Sequence, residues 1–135
     1  MITVCMVVRN EARTLGLALN ILCADKFVGE ILISNHNSDD ETGAIIGSFV
    51  KSSPKVKNVV LGNLSLNERI LSLLNEVSTD FVQIRTPHDL YHGEFYSFHY
   101  QRLRESEDLD CSFSHTINAT TSLKMSPNVT SWFPL

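Results

Sequence analysis

Polar and titratable side chains suited to chemistry follow three apolar segments of this sequence. They are Arg9, Asn10 and Glu11 after the run 2–8, residues 35–40 (Asn-His-Asn-Ser-Asp-Asp) after the run 30–34, and residues 85–89 (Arg-Thr-Pro-His-Asp) after the run 81–84. Side chains of these types can contact a nucleotide or hold a metal ion. Whether they do so depends on whether the fold brings the three groups together.

The spacing of apolar residues predicts strands and helices that alternate along the chain. Continuous apolar runs indicate buried strands, and apolar residues three or four positions apart indicate amphipathic helices. The predicted strands are 2–8, 30–34, 56–61, 81–84 and 111–114, and the predicted helices are 12–23, one that starts at the turn 38–41, 66–77 and 94–105.

This alternation predicts an α/β fold with a doubly wound, mostly parallel, Rossmann-like sheet. In such sheets ligands bind beyond the carboxyl ends of the strands, where the strand order reverses. All three polar groups follow strands, so we expect them at that edge. We predict one compact domain over residues 1–116 and an extended tail over 117–135, which is rich in Thr, Ser, Asn and Pro.

Two of the polar groups can also be interpreted simply as helix starts. Asn10 is predicted to cap the first helix, and Ser38 and Glu41 match the S-x-x-E capping box. A helix amino terminus at this point would also favour a bound phosphate. From the residues alone, a well-capped turn and the floor of a ligand site both stay open.

Histidines near the second and fourth strands raise the alternative of a transition-metal site. His88 and Asp89 could approach His36 from a neighbouring strand end, and two imidazoles with a carboxylate suit Zn²⁺. The competing interpretation is a surface loop in which Asp89 acts as a local cap. His99 is predicted to be a packing residue of the fourth helix.

The composition restricts the function classes. The 135 residues are 43% hydrophobic with net charge −4, which indicates an ordered globular domain and argues against a general nucleic-acid binder. No apolar run approaches the roughly 20 residues that span a bilayer, and the start lacks a signal-peptide pattern. Cys5, Cys23 and Cys111 are predicted to be free thiols in a reducing compartment, which indicates the cytoplasm.

Aromatic residues are concentrated around the predicted fourth helix. They are Tyr91, Phe95, Tyr96, Phe98 and Tyr100. Aromatic rings stack on sugars, pack in cores and anchor protein interfaces. Their density exceeds what one helix face can bury, so we expect a ring to face a protein partner or a second copy of the chain.

Three segments together resemble the family-2 glycosyltransferases, whose nucleotide-sugar domain has the fold called GT-A. ITVCMVVRNEARTLGLALNIL is similar to the family's opening strand, Asn-Glu turn and helix. VGEILISNHNSDDETGAII is similar to its second unit, and STDFVQIRTPHDLYHGEF to the strand that leads to its D-x-D motif. The resemblance covers roughly the first hundred residues, and the order of the segments is more specific than any one alone.

The resemblance implies a nucleotide site and a metal site. The implied contacts to a UDP- or GDP-linked sugar are Val8, Arg9, Asn10, Glu11, Asn35, Asn37 and Arg69. In the family the D-x-D carboxylates hold a divalent ion that bridges the diphosphate, so His88 and Asp89 are the implied ligands of Mn²⁺ or Mg²⁺. A degenerate motif would bind no metal ion.

The sequence departs from the family pattern at both sites. Asn35 stands in place of an acidic residue, Asn37 in place of a glycine, and Thr86-Pro87-His88 leaves only Asp89 acidic in the metal motif. Little sequence follows Asp110, so we expect the acceptor-binding half to be missing.

Three functions are compatible with this pattern. The first is a degenerate glycosyltransferase-like domain that binds a nucleotide or nucleotide sugar with weak or no transferase activity. The second is a non-catalytic structural or assembly module, for example in a larger particle. The third is an active hexosyl transferase whose acceptor half comes from another chain or a second copy.

Overall fold

A computed structural model describes residues 1–89, 91, 93–106 and 108–112 of the chain. Strands and helices alternate along this part. The elements are β1 (Ile2–Val8), α1 (Ala12–Ala24), β2 (Val28–Asn35), α2 (Thr42–Ser52), β3 (Val56–Asn58), α3 (Leu66–Asn75), β4 (Phe81–Ile84) and α4 (Phe95–Glu105). None of the helices among the described residues is long and apolar enough to cross a membrane.

The four strands form one parallel sheet in the order β3-β2-β1-β4. The chain adds β2 and β3 on one side of β1 and then returns to place β4 on the other side. The strand order therefore reverses between β1 and β4, which is where open α/β sheets bind ligands. Ile84 pairs with Cys5, so the chain after β4 leaves the sheet beside the last residues of β1.

Apolar side chains of the central strands form a core on each face of the sheet. On one face Val4 and Ile31 pack with buried residues of α1, α2 and α4. On the other face Cys5 and Leu32 pack with Leu73 of α3. Each fully buried aliphatic side chain contributes about 1.5–3 kcal/mol to folding, so the two cores hold the strand ends in fixed positions. Helices on both faces confirm the predicted doubly wound α/β arrangement.

The predicted order of strands and helices is confirmed through α4, with changes at element ends. β2 is longer than predicted because its two ends, Val28 and Asn35, pair with Ile2 and Val8 of β1. β3 ends three residues early, at Asn58, and Val60 beyond it is 86% exposed.

The predicted helix caps are wrong in two places. Asn10 does not cap α1, because its φ of 54° turns the residue towards the next loop. Ser38 and Glu41 form no capping box, since α2 begins after Glu41 without a side-chain cap bond. A capping box is present instead at the start of α3, where Ser65 and Glu68 bond reciprocally.

The aromatic residues around α4 are divided between core and surface. Tyr96 is buried, Phe95 and Tyr100 pack against the larger core, and Phe98 is 55% exposed. His99 is buried, as predicted, and this burial lowers the pKa of its imidazole. It is therefore neutral in the packed helix at physiological pH.

Two predictions fall wholly or partly beyond the described residues. Cys111 and Ser112 of the predicted fifth strand lie outside any strand, and residues 113 and 114 are outside the described part of the chain. The predicted tail over 117–135 lies outside it as well.

Candidate functional site

The turn after β1 and the turn after β2 are joined by hydrogen bonds. The Asn10 amide donates to Ser38 Oγ (3.0 Å), and the Asp39 amide donates to Asn10 Oδ1 (2.9 Å). Asn10 makes the second bond from a left-handed backbone conformation, which asparagine tolerates better than most residues. The two predicted polar groups therefore form one connected surface at the carboxyl edge of the sheet.

The start of α1 is capped by Asp40 of the second turn and Thr42 of α2 rather than by its own sequence. The Glu11 amide donates to Thr42 Oγ1 (2.9 Å), and the Ala12 amide donates to Asp40 Oδ2 (3.1 Å). Hydrogen bonding with the Thr42 side chain, and further bonds from the Thr42 and Ala12 amides, lower the pKa of the Asp40 carboxyl. Asp40 is thus a shared cap, since its other oxygen accepts from the Thr42 amide (3.0 Å).

Asn35 is the last residue of β2, and its side-chain amide is hydrogen-bonded through the oxygen but not, within the described part of the chain, through the nitrogen. Its Oδ1 accepts from the Ser38 amide (3.1 Å) and from Ser38 Oγ (2.7 Å). Its Nδ2 donates no hydrogen bond to any of the described residues, so it can donate to a ligand acceptor. Asn37, at φ 51°, is exposed two residues further on.

Arg69 is a fully buried cation beside Asn35. Its side chain is 0% exposed, and every acceptor it reaches among the described residues is neutral. These acceptors are Gly62 O (2.6 Å), Ser34 Oγ (2.9 Å), Leu64 O (3.1 Å) and Asn35 O (3.5 Å). A guanidinium keeps its charge in proteins, so this edge of the sheet carries positive charge that no described carboxylate neutralises.

Arg85 is a second buried guanidinium, directly after β4, and it is only 6% exposed. It donates to Thr86 O (3.3 Å), to Asp89 O and to the Tyr96 hydroxyl (3.1 Å), and it lies over the Tyr91 ring at 4.3 Å. Burial raises the pKa of Tyr96 to about 12, so its hydroxyl stays protonated at neutral pH. Arg85 therefore holds the turn 86–89 in place while its charge has no carboxylate partner among the described residues.

His88 reaches across from β4 to the turn after β1. Its Nδ1 lies 3.3 Å from Glu11 Oε1, and the other Glu11 oxygen accepts from Thr14 Oγ1 (3.0 Å). The contact spans the point where the strand order reverses. The structure thus brings together Glu11 and His88, which the sequence assigned to two different sites.

The side chains of the turn 86–89 do not fit a hard divalent cation. Asp89 Oδ2 accepts from Thr86 Oγ1 (2.6 Å), which turns the single carboxylate of this segment back into its own loop. Mg²⁺ and Mn²⁺ prefer several oxygen ligands, and the described residues contain no group of three His, Cys, Asp or Glu side chains arranged to hold a metal ion. His36 is therefore not brought into a ligand set with His88 and Asp89, and its amide donates to Val8 O (2.8 Å).

The remaining predicted residues differ in what they present to this edge. The Val8 side chain is buried, so only its backbone faces the turn, whereas Arg9 is exposed. Thr42 was not predicted as a site residue, and Arg85 was predicted only as part of the polar group 85–89, without a role of its own. An arginine that directly follows a strand and precedes a proline turn was the available signal for Arg85.

A surface cavity of about 440 Å³ lies elsewhere, beside the turn 25–27 that precedes β2. None of the predicted site residues lines it. We place the candidate site by its chemistry, at the carboxyl edge, rather than by the size of this cavity.

Comparison with known proteins gives a match at the level of fold. No protein-family model matches the chain, and no curated protein matches it. The crystal structure of residues 1–349 of TarS from S. aureus superposes with a TM-score of 0.65 over 77% of this chain, at 16% sequence identity. The fold is glycosyltransferase-like. This chain spans 32% of the TarS structure, and at this identity the likeness concerns the fold alone.

Proposed function

We propose that the carboxyl edge of the sheet binds the nucleotide part of a UDP- or GDP-linked sugar, in a glycosyltransferase-like domain of the family-2 kind with weak or no transferase activity. The observation that carries this proposal is Arg69, a fully buried guanidinium held by four neutral oxygen atoms next to Asn35.

Burying a charge without a counter-ion is unfavourable, and an apolar side chain of similar size would fill the same space. The hydrogen bonds of Arg69 stabilise the fold, but stability alone does not explain why this buried side chain carries a charge. Its charge does favour an anion at this edge, and the same is true of Arg85. A nucleoside diphosphate supplies the anion, and its base supplies an acceptor for the free Asn35 Nδ2.

The other residues have roles in this proposal that follow from their positions. Val8, Arg9 and Asn10 form the turn against which the nucleotide lies, with Arg9 exposed for contact. Asn37 presents the tip of the second turn. Weak or absent transfer follows from the 86–89 turn, because Asp89 is its only carboxylate and that carboxylate is bonded to Thr86.

Calorimetric titration of the full chain with UDP and GDP, with ATP as a comparison, tests the proposal. We expect micromolar to millimolar binding of one nucleoside diphosphate, weakened about tenfold in Asn35→Ala because one polar contact to the ligand is lost. Asn20→Ala is the matched control, since Asn20 is exposed on α1 away from this edge. Absence of binding by all three nucleotides at millimolar concentration would end this proposal.

A second candidate function, an assembly module, rests on a different surface. Val82 and Ile84 are 46% and 51% exposed on the same face of β4, and β4 pairs with only one other strand among the described residues. An apolar edge strand is a common place for a second chain to add.

Free Cys5, Cys23 and Cys111 are compatible with a cytoplasmic location for such an assembly.

Light scattering over a range of protein concentrations tests this second function. We expect the mass to rise with concentration for the full chain and to stay at the monomer value for Val82→Lys. Substitution of exposed Val60 by Lys, away from β4, is the matched control. A monomeric wild-type chain at hundreds of micromolar would count against self-assembly.

A further inference from the structure

We propose that the nucleotide diphosphate is held at the carboxyl edge without a divalent metal ion, and that Glu11 occupies the diphosphate position on His88 when no nucleotide is bound. This inference rests on the proposed nucleotide-binding function and names the chemistry of its phosphate subsite.

The turn 86–89 offers few ligands for a metal ion. Asp89 is the only carboxylate in the turn 86–89, and its Oδ2 is bonded to Thr86 Oγ1. A hard cation bound through the other oxygen, Oδ1, would have only one carboxylate ligand from this turn. A diphosphate needs neutralising charge, however, and this edge supplies that charge from arginine instead.

Two buried arginines supply positive charge at this edge of the sheet. Arg85 lies directly beneath the turn and donates to the backbone oxygens of Thr86 and Asp89. Its charge therefore acts on whatever binds above the turn, and burial weakens the screening of that charge by salt. Arg69 acts in the same way from the end of β2.

Glu11 contacts His88 across the point where the strand order reverses. The Glu11 carboxylate lies 3.3 Å from His88 Nδ1, with the two side chains 24% and 56% exposed. A carboxylate oxygen and a phosphate oxygen are both anionic acceptors for an imidazole N–H. Because a contact between two partly exposed polar side chains contributes little to stability, a nucleotide can replace Glu11 on His88 at small cost.

Replacing Glu11 distinguishes its displacement by the diphosphate from a direct contact with the nucleotide. If Glu11 contacted the nucleotide favourably, its replacement would weaken binding. If Glu11 is the anion that the diphosphate displaces, Glu11→Gln strengthens binding by about two- to fivefold, the equilibrium equivalent of one weak surface contact. Glutamine keeps an oxygen for the Thr14 hydroxyl, so the start of α1 is preserved.

The experiment is calorimetric titration of the full chain with UDP, GDP and inorganic pyrophosphate, each in EDTA and in Mn²⁺. We expect equal affinity in the two buffers. We also expect binding about five- to tenfold weaker in His88→Ala, partly recovered in His88→Gln because it keeps an N–H donor. Asp89→Asn tests the metal directly: it keeps an oxygen for Thr86, loses the charge, and is expected to bind within about twofold of wild type. Asn20→Ala, exposed on α1 away from this edge, is the matched control.

The outcomes separate this inference from the function on which it rests. Binding that requires Mn²⁺ and is lost in Asp89→Asn would overturn the metal-free subsite and leave nucleotide binding in place. Weaker binding by Glu11→Gln would overturn the displacement of Glu11. Absence of binding by every nucleotide and by pyrophosphate would overturn both the subsite and the proposed function. Thermal melting of each variant shows that it is folded before titration.

Discussion

Replacing Arg69 by Met should destabilise the domain by an amount that reflects two opposing effects. The guanidinium makes three bonds of 3.1 Å or less, to Gly62 O, Ser34 Oγ and Leu64 O. At about 1.5 kcal/mol each, their loss would cost about 4.5 kcal/mol. Removing an unpaired buried charge offsets part of this loss, and water can reach the carbonyl of exposed Gly62.

We therefore expect Arg69→Met to lower the free energy of unfolding by about 2 kcal/mol, taking the offset as about half of the loss. Arg69→Lys keeps the charge but not the planar fork, so we expect it to lose about 1 kcal/mol. Urea unfolding is the assay, and with a slope of about 2 kcal/mol/M the midpoint should fall by about 1 M for Met.

The same two variants separate stability from binding. The lysine variant should retain more UDP affinity than the methionine variant, because the positive charge at the edge persists. A methionine variant as stable as wild type that binds UDP equally well would refute the reasoning on both counts. A methionine variant more stable than wild type with lost binding would mean that the charge is held only for the ligand.

Three further predictions concern other parts of the molecule. Burial raises the pKa of the Glu30 carboxyl. Hydrogen bonds, of which the one from Lys57 is the largest, lower it by more than burial raises it, so the net shift is downward. Its stabilisation is present above about pH 4.3 and is lost as pH falls through the folded pKa, so Glu30→Gln should flatten the acid dependence of the urea midpoint. Ser65→Ala removes the capping box of α3 and should cost about 1 kcal/mol, or about 3 °C in melting temperature. In thiol titration, exposed Cys111 should react in the native state, whereas buried Cys5, with a pKa raised to about 11, should react only on unfolding.

The order of strands and helices could be predicted because each strand is a local apolar pattern. Ile2 to Val8 is a continuous apolar run apart from Thr3, and β4 is an apolar pattern bounded by Asp80 and Arg85. The resemblance of three such segments to one family then indicated the glycosyltransferase-like fold.

The cap of α1 could not be predicted, because it is long-range, whereas the capping box of α3 joins Ser65 and Glu68 within one local S-x-x-E pattern. Asp40 caps a helix that starts 28 residues earlier in the chain, so no local motif identifies it. The contact of Glu11 with His88 joins residues 77 positions apart for the same reason. Arg69 was assigned by resemblance, but its neutral surroundings depend on where the loop at 62–64 folds back.

The most direct test of nucleotide binding at the carboxyl edge is amide NMR of the full chain during titration with UDP and GDP. We predict shift changes at 9–11, at 35–38 and at Thr86, His88 and Asp89 that saturate together, with small changes around α4. Saturating changes confined to the exposed face of β4 and to α4, or no changes at millimolar nucleotide, would contradict it.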